Sequence, residues 1–263
     1  MLVRSVRPDA QLVQTEDLGT TYSSPELQYQ ADFENARRWL TFDLLCGRVD
    51  AHHPIGHYFL WLGVDERELG WFQDHPCPPG VVGINHYVTS HRFLDARLDR
   101  HPSWRWGGNG RDAYADVEAL RMLDGEPPRL ADLLHETWMR YRLPVAITEA
   151  HLGCSREEQL RWLWEVWREA QLARQAGAHV VAVTAWSLLG SYDWDSLVTQ
   201  PRRHYEPGAF DVSGPAPRPT AVARLIRDIA SAQSPGSPVL DQPGWWRRPE
   251  RLWHATSRPP TAW

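Results

Sequence analysis

Four apolar runs recur along this chain, and the segments between them decide what it can fold into. The runs are Leu12 to Leu18, Val81 to Val88, Leu143 to Glu149 and Val180 to Leu189. Each has strand length and is bounded by glycine, proline or polar residues. Each is followed, after a turn or a long loop, by a stretch with apolar residues at helical spacing. A helical crossover brings the next strand back parallel to the last, and parallel strands need cover on their outer face. Repetition of this unit predicts an α/β protein of the (β/α)8 TIM-barrel type.

The helices have readable ends. From Gln30 to Cys46, Phe33, Ala36, Leu40 and Leu44 form a stripe that Trp39, Phe42 and Leu45 widen, and Gly47 stops it. Leu130 to Tyr141 is the second helix. Ser155 and Glu158 form a capping box ahead of Leu160, Leu163, Trp164, Trp167 and Ala170, and Gly177 supplies the stop. Thr220 to Ser231 is the last helix, with Val222, Leu225, Ile226 and Ile229 inward. Residues 48–80 and 90–128 show no sustained period and read as long loops at strand mouths. Four βα units are half of a barrel, and a complete one takes about 250 residues. These 263 residues are filled by four units and their loops, so the chain is expected to begin in the middle of a fold. Residues 1–231 are then a partial barrel. Residues 232–263, which contain Ser234-Pro235-Gly236-Ser237-Pro238 and then Trp245-Trp246-Arg247-Arg248, read as a Pro/Arg/Trp-rich tail or linker.

Composition removes several classes of function. The net charge of −5 supplies no broad basic field, so nucleic acid is not an expected partner and neutral ligands fit better. No apolar run approaches the roughly 18 residues of a membrane span, and Met1 to Arg7 lacks the apolar core of a signal peptide. Three widely spaced cysteines, Cys46, Cys77 and Cys154, argue against a disulfide framework, and the expected location is cytoplasmic. All 28 basic residues are arginine, which excludes Schiff-base and phosphate-binding lysines. His52, His53, His57, His75 and Cys77 crowd one segment, but their spacing matches no usual zinc pattern; no metal and no cofactor are expected.

The chemistry concentrates at the ends of the apolar runs. Glu149 closes the third run, and Trp186, Tyr192, Asp193 and Trp194 follow the fourth. A carboxylate and indole rings at the mouths of successive parallel strands suit a site that cuts sugars, because pyranose faces stack on aromatic rings and carboxyl groups cleave glycosidic bonds. Glu16 and Asp17, at the mouth of the first strand, are candidates for hydrogen bonds to sugar hydroxyls or to loops.

Gly83-Ile84-Asn85-His86-Tyr87, then Ile147-Thr148-Glu149, then Trp186-Ser187-Leu188-Leu189 with Tyr192-Asp193-Trp194, resemble the last three strand motifs of the family 1 glycoside hydrolases. The first strand, with Arg37-Arg38-Trp39 and Cys46-Gly47-Arg48, is similar to that family's fifth strand and helix, so the resemblance covers residues 5–231 and strands five to eight. It implies a retaining β-glycosidase with Glu149 as nucleophile and Tyr87 as the hydroxyl that hydrogen-bonds it and holds its rotamer. It also implies that Asn85 faces the same pocket, that Trp186 lies under the sugar, that Asp193 grips sugar hydroxyls with Trp194 beside it, and that the Trp186–Ser187 peptide is cis. The family's acid lies in an Asn-Glu-Pro motif on the fourth strand; the chain contains none, and the region that would hold it is expected upstream of Met1. Ala150-His151 replaces the usual Asn-Gly, and His86 replaces a tyrosine. The implied partners are a carbohydrate substrate and either a missing amino-terminal half or a second copy of the chain. The competing expectation is a non-catalytic sugar-binding module, or a scaffold module joined through a proline-rich linker to a sugar-nucleotide reductase. No Gly-x-Gly-x-x-Gly fingerprint of such a reductase occurs in the sequence.

Overall fold

A computed structural model describes residues 2–253. The chain starts with helix α1 (Leu2–Val6) and strand β1 (Val13–Glu16), followed by the short strand β2 (Thr21–Ser23). The helix expected over 30–46 is divided into α2 (Gln28–Arg37) and α3 (Leu40–Leu45). At the break, Arg38 reaches the Leu18 carbonyl and the Thr20 hydroxyl, both at 2.9 Å, while Trp39 turns into the core.

Residues 48–80 are not the loop that their composition implies. They hold α4 (Pro54–Trp61) and α5 (Glu66–Asp74). Proline occupies the first turn of α4, where its missing N–H costs nothing, and the His53 ring caps the Ile55 N–H at 3.2 Å. Asp65 caps α5 by accepting from the Arg67 N–H at 2.8 Å, a signal present in the sequence and hidden by the surrounding aromatics.

Strand β3 (Val81–Tyr87) leads into a second correction, because the stretch after Ser90 is β-structure rather than irregular chain. It contains β4 (Arg92–Asp95), β5 (Trp106–Gly108) and β6 (Ala113–Glu118), which join β2 in a sheet of order β2-β4-β6-β5. The alternation in β6 is short; β5 meets it across a tight turn after Gly108, but β4 lies about 20 residues upstream, so local periodicity is silent about the sheet as a whole. Helix α6 (Leu130–Tyr141), strand β7 (Val145–His151), helix α7 (Arg156–Gln175), strand β8 (Val180–Ala185) and helix α8 (Ala221–Ala230) complete the order. The expected cap of α7 is present: the Ser155 hydroxyl accepts from the Glu158 N–H, and Gly177 adopts φ +95° just past the helix end.

The central sheet has the order β1-β3-β7-β8 with every pair parallel, so consecutive βα units stand side by side as in a barrel wall. The fold is a partial TIM-barrel type, open at β1 and β8. Val82, Ile84, Val145 and Ile147 are fully buried and share one core with Leu134 of α6 and Leu163 and Val166 of α7. Each such side chain stabilises the fold by about 1.5–3 kcal/mol. The sheet layer is close at Gly83: a Cβ there would lie 2.7 Å from the Thr15 methyl and 2.8 Å from that of Thr148.

Residues 238–253 pack back on α7. Trp246 is 2% exposed, donates to Glu165 Oε2 at 2.9 Å and meets the Trp162 ring edge-on at 5.3 Å. Arg247 and Arg248 pair with Glu165 and Glu158 at 2.7 and 2.9 Å. Residues 254–263 of the Pro/Arg/Trp-rich segment lie outside the described residues.

Candidate active site

Strand β7 carries one more residue near its end than either neighbour. Against β3, Ile84 pairs with Ile147 but Asn85 pairs with Glu149; against β8, Ile147 pairs with Val183 and Ala150 with Ala185. An extra residue bends a strand and re-aims its side chains, and such bulges recur beside active sites. Here it sets Glu149 level with Asn85. The displaced Thr148 donates its hydroxyl to Asn85 Oδ1 at 2.8 Å, fixing the amide on that level.

The Tyr87 hydroxyl, two residues along β3 on the same face, donates to Glu149 Oε2. Burial pushes the Tyr87 phenol well above its ordinary range, and the bond to Glu149 and that carboxylate's charge push the same way. Tyr87 therefore stays a proton donor throughout the physiological range. Glu149 Oε1 takes no hydrogen bond from the described residues, which leaves one carboxylate oxygen for other chemistry. The Tyr87 backbone N–H is held by Ser90 Oγ at 3.0 Å, and the Ser90 hydroxyl donates to Asp17 Oδ2 at 2.7 Å.

The aromatic part of the site follows β8. The Trp186 N–H donates to the Ala150 carbonyl at 3.0 Å, tying the start of the loop to the residue after Glu149. The Trp186–Ser187 peptide is cis, as the sequence resemblance implies. The Trp186 and Trp194 rings lie 4.9 Å apart at 37°. Asp193 is engaged within its own loop, where its Oδ1 accepts from the His204 N–H at 2.7 Å. Glu16, level with Ile84 in the register of β1 and β3, accepts from the Gln14 amide at 3.2 Å and meets none of the other site residues.

The structure thus joins Tyr87 with Glu149, sets Asn85 level with Glu149 and brings the Trp186 and Trp194 rings into tilted contact. It leaves Glu16 apart. Two further residues belong to the cluster. His151 places Nδ1 3.1 Å from the Trp186 carbonyl and Nε2 3.1 Å from Glu206 Oε1, with its ring edge-on to Trp186 at 5.0 Å. Its signal was its position two residues after Glu149 on one strand. Glu206 has no such signal, because it lies in an aperiodic stretch and arrives through Gln159, whose amide donates to it at 2.7 Å. Among the described residues no group of three or more His, Cys, Asp or Glu side chains could hold a metal ion, and no helix is long and apolar enough to cross a membrane.

Solved structures share this fold. The virulence factor SghA from Agrobacterium tumefaciens superposes with a TM-score of 0.59 at 16% identity, over 88% of this chain and 53% of its own. A β-glucosidase from Thermotoga maritima gives a TM-score of 0.61 at 13% identity, over 89% and 53%. The AHE enzyme from Alicyclobacillus herbarius gives 0.61 at 17%, over 87% and 52%. The chain therefore has a glycosidase-like fold and spans about half the length of these structures. No protein-family profile and no curated protein sequence matches it.

Proposed function

We propose that this chain is the carboxyl-terminal half of a family 1 type retaining β-glycosidase barrel, in which Glu149 attacks the anomeric carbon of a bound glycoside. The observation that carries the reading is the Tyr87–Glu149 hydrogen bond at the carboxyl rim, beside the Trp186–Trp194 pair. The free Glu149 oxygen forms the bond to the sugar carbon as the bond to the leaving oxygen breaks; water then releases the sugar and restores the carboxylate. Tyr87 holds the attacking carboxylate, Asn85 offers polar contact on the same level, and Trp186 with Trp194 receives the sugar face. Glu16 and Asp193 act at the margin through hydrogen bonds to sugar hydroxyls.

A retaining mechanism needs a second carboxyl about 5 Å from the first to protonate the leaving group. In this reading that acid belongs to a complementary half-barrel that seats on the open edges of the sheet, and the chain alone is a weak catalyst. Good leaving groups need little acid help, so 2,4-dinitrophenyl β-glucoside is the suitable probe. A burst of dinitrophenolate that disappears in Glu149→Gln supports the reading, and no burst from folded wild-type chain contradicts it. The engagement of one Asp193 oxygen by the His204 N–H, which leaves only the other for a sugar, favours a second reading, a non-catalytic sugar-binding or scaffold module of a larger sugar-nucleotide enzyme with a weaker grip on its ligand and the segment from residue 232 as its connection. Glucoside binding by calorimetry without any burst distinguishes this alternative.

A further inference from the structure

A second cleft, of about 1140 Å³, opens beside the Glu149 site and meets it at Tyr87 and His151. Glu149 is not part of its wall. One side is the turn from β7 into α7, including Gly153, Cys154 and Ser155; the other is β6 and the turn after it, with Glu118 and Arg121. Trp245 and Trp253, from the segment that packs back on α7, complete it. The volume lies just above the roughly 300–1,000 Å³ usual for a small-molecule site, so the cleft has room for a ligand of that class.

Its charges are unevenly matched. Arg105 is paired with Glu118 at 2.8 Å, and Arg248 with Glu158 at 2.9 Å; Glu158 also takes Arg161 at 2.8 Å. Glu250, exposed at the margin, has no ion-pair partner among the described residues. Two guanidinium groups have no carboxylate at ion-pair distance among the described residues. Arg251 is 4% exposed and is satisfied by the carbonyls of Leu120, Leu123 and Gly125. Among the described residues, Arg121 gives its single side-chain hydrogen bond to the Arg251 carbonyl at 3.1 Å, and it lies over the Trp245 ring at 4.1 Å. Burial lowers its pKa first; Glu118 raises it, and the positive charges of Arg105 and Arg251 lower it further. An unpaired cation facing two others in a half-buried wall is costly unless something anionic completes it.

The tryptophans prepare that cation. Contact with the Trp245 ring holds the Arg121 guanidinium in place, and a guanidinium's planar fork of N–H donors reads a carboxylate or phosphate by two bonds. The amino-terminal end of the 20-residue helix α7 faces the same cleft, but Glu157 and Glu158 in its first turn offset its dipole, so the guanidinium groups carry the positive character of the site. In a chain of net negative charge, this wall carries four guanidinium groups against three carboxylates, next to the candidate active site. We propose that this cleft binds an oxyanion, carboxylate or phosphate, carried on the leaving-group side of the glycoside cleaved at Glu149. The link to a glycoside rests on the reading of Glu149 given above; the oxyanion site does not.

Calorimetry on the full chain at low ionic strength, with inorganic phosphate and with benzoate as separate probes, tests the oxyanion site. Binding of at least one probe is expected, and the tighter one identifies the preferred source. Arg121→Gln should weaken it about tenfold or more, as loss of a charge-assisted pair does. Arg248→Gln, on a half-exposed residue that folding tolerates, should weaken it less, and Glu149→Gln should leave it unchanged. No binding of either probe by folded wild-type chain, or binding indifferent to both arginine substitutions, overturns the proposal. In a second arm, 4-carboxyphenyl β-glucoside should bind more tightly than phenyl β-glucoside, and the difference should vanish in Arg121→Gln. Oxyanion binding with neither glucoside bound would overturn the glycoside reading and leave the oxyanion site standing. Equal affinity of the two glucosides for wild-type chain would overturn the leaving-group assignment.

Discussion

The inner strands β3 and β7 are buried along most of their length, whereas the outer strands β1 and β8 are not. Val82, Ile84, Val145 and Ile147 are fully buried, while Val13 and Val181 are 47% and 46% exposed. The inner pair also has both ladders satisfied; each outer strand has one. In a closed barrel no strand has a free edge, and apolar side chains on an edge invite pairing with another chain. The finished part of the sheet holds Tyr87 and Glu149, and the unfinished part borders them on both sides. The candidate site is thus built on the two strands that are paired on both sides, next to the open edges of the sheet.

Substitutions on the two kinds of strand should differ in kind as well as size. Glu149→Gln, on an inner strand, should reduce aryl release from 2,4-dinitrophenyl β-glucoside by about a thousandfold or more, measured by absorbance. Ile147→Ala, one turn of the pleat below it, should cost about 2–5 kcal/mol in urea unfolding, since the surrounding core cannot collapse into the space. Tyr87→Phe removes a bond to a charged group and should slow the burst by about tenfold to a hundredfold while leaving the melt nearly unchanged.

The outer strands should respond differently. Val13→Lys with Val181→Lys should shift stability by no more than about 0.5 kcal/mol, because both side chains already contact water. The same pair should abolish any concentration-dependent association seen by analytical ultracentrifugation. Association that survives both substitutions would show that the open edges are not the contact surface.

The pH dependence belongs to the inner strands too. His86, on the helix-covered face of β3 against Trp162, is lowered by burial from 6.5 to about 3, with His91 adding to the shift. Burial takes His91 from 6.5 to about 4, with Arg38 assisting. Between those values the unfolded chain binds more protons than the folded one, so stability is full above pH 6.5 and declines as pH falls toward 4. Thermal melts from pH 7.5 to 4.5 should show that decline, and His86→Phe should flatten part of it.

Much of this arrangement was legible because it repeats locally. The four strands, the cap at Ser155 and the stop at Gly177 each depend on residues within a few positions of one another. The Tyr87–Glu149 contact was foreseeable only through the family resemblance of the motifs that end in Tyr87, Glu149 and Trp186. The sheet of β2, β4, β5 and β6 was not legible, because its strands are short and, apart from the β5–β6 hairpin, its pairings join separated segments, such as Thr21 with Arg92. Asp193 shows a different limit: its side chain fits a sugar contact by position, but only coordinates reveal that the His204 N–H already occupies one oxygen. Glu206 and the Arg121 cleft also depend on distant segments meeting, so nothing in their own neighbourhoods marks them. His86 stood out as a departure from a familiar motif, and its burial against Trp162 shows a packing reason for it.

The most direct test is covalent trapping with 2,4-dinitrophenyl 2-deoxy-2-fluoro-β-glucoside, whose fluorine slows breakdown of a glycosyl ester and whose leaving group needs no acid. Intact-mass and peptide mass spectrometry should show one fluoroglucosyl group on Glu149 in the wild-type chain and none in Glu149→Gln. An unlabelled wild-type chain, or a label on another residue that persists in Glu149→Gln, would contradict Glu149 as the nucleophile.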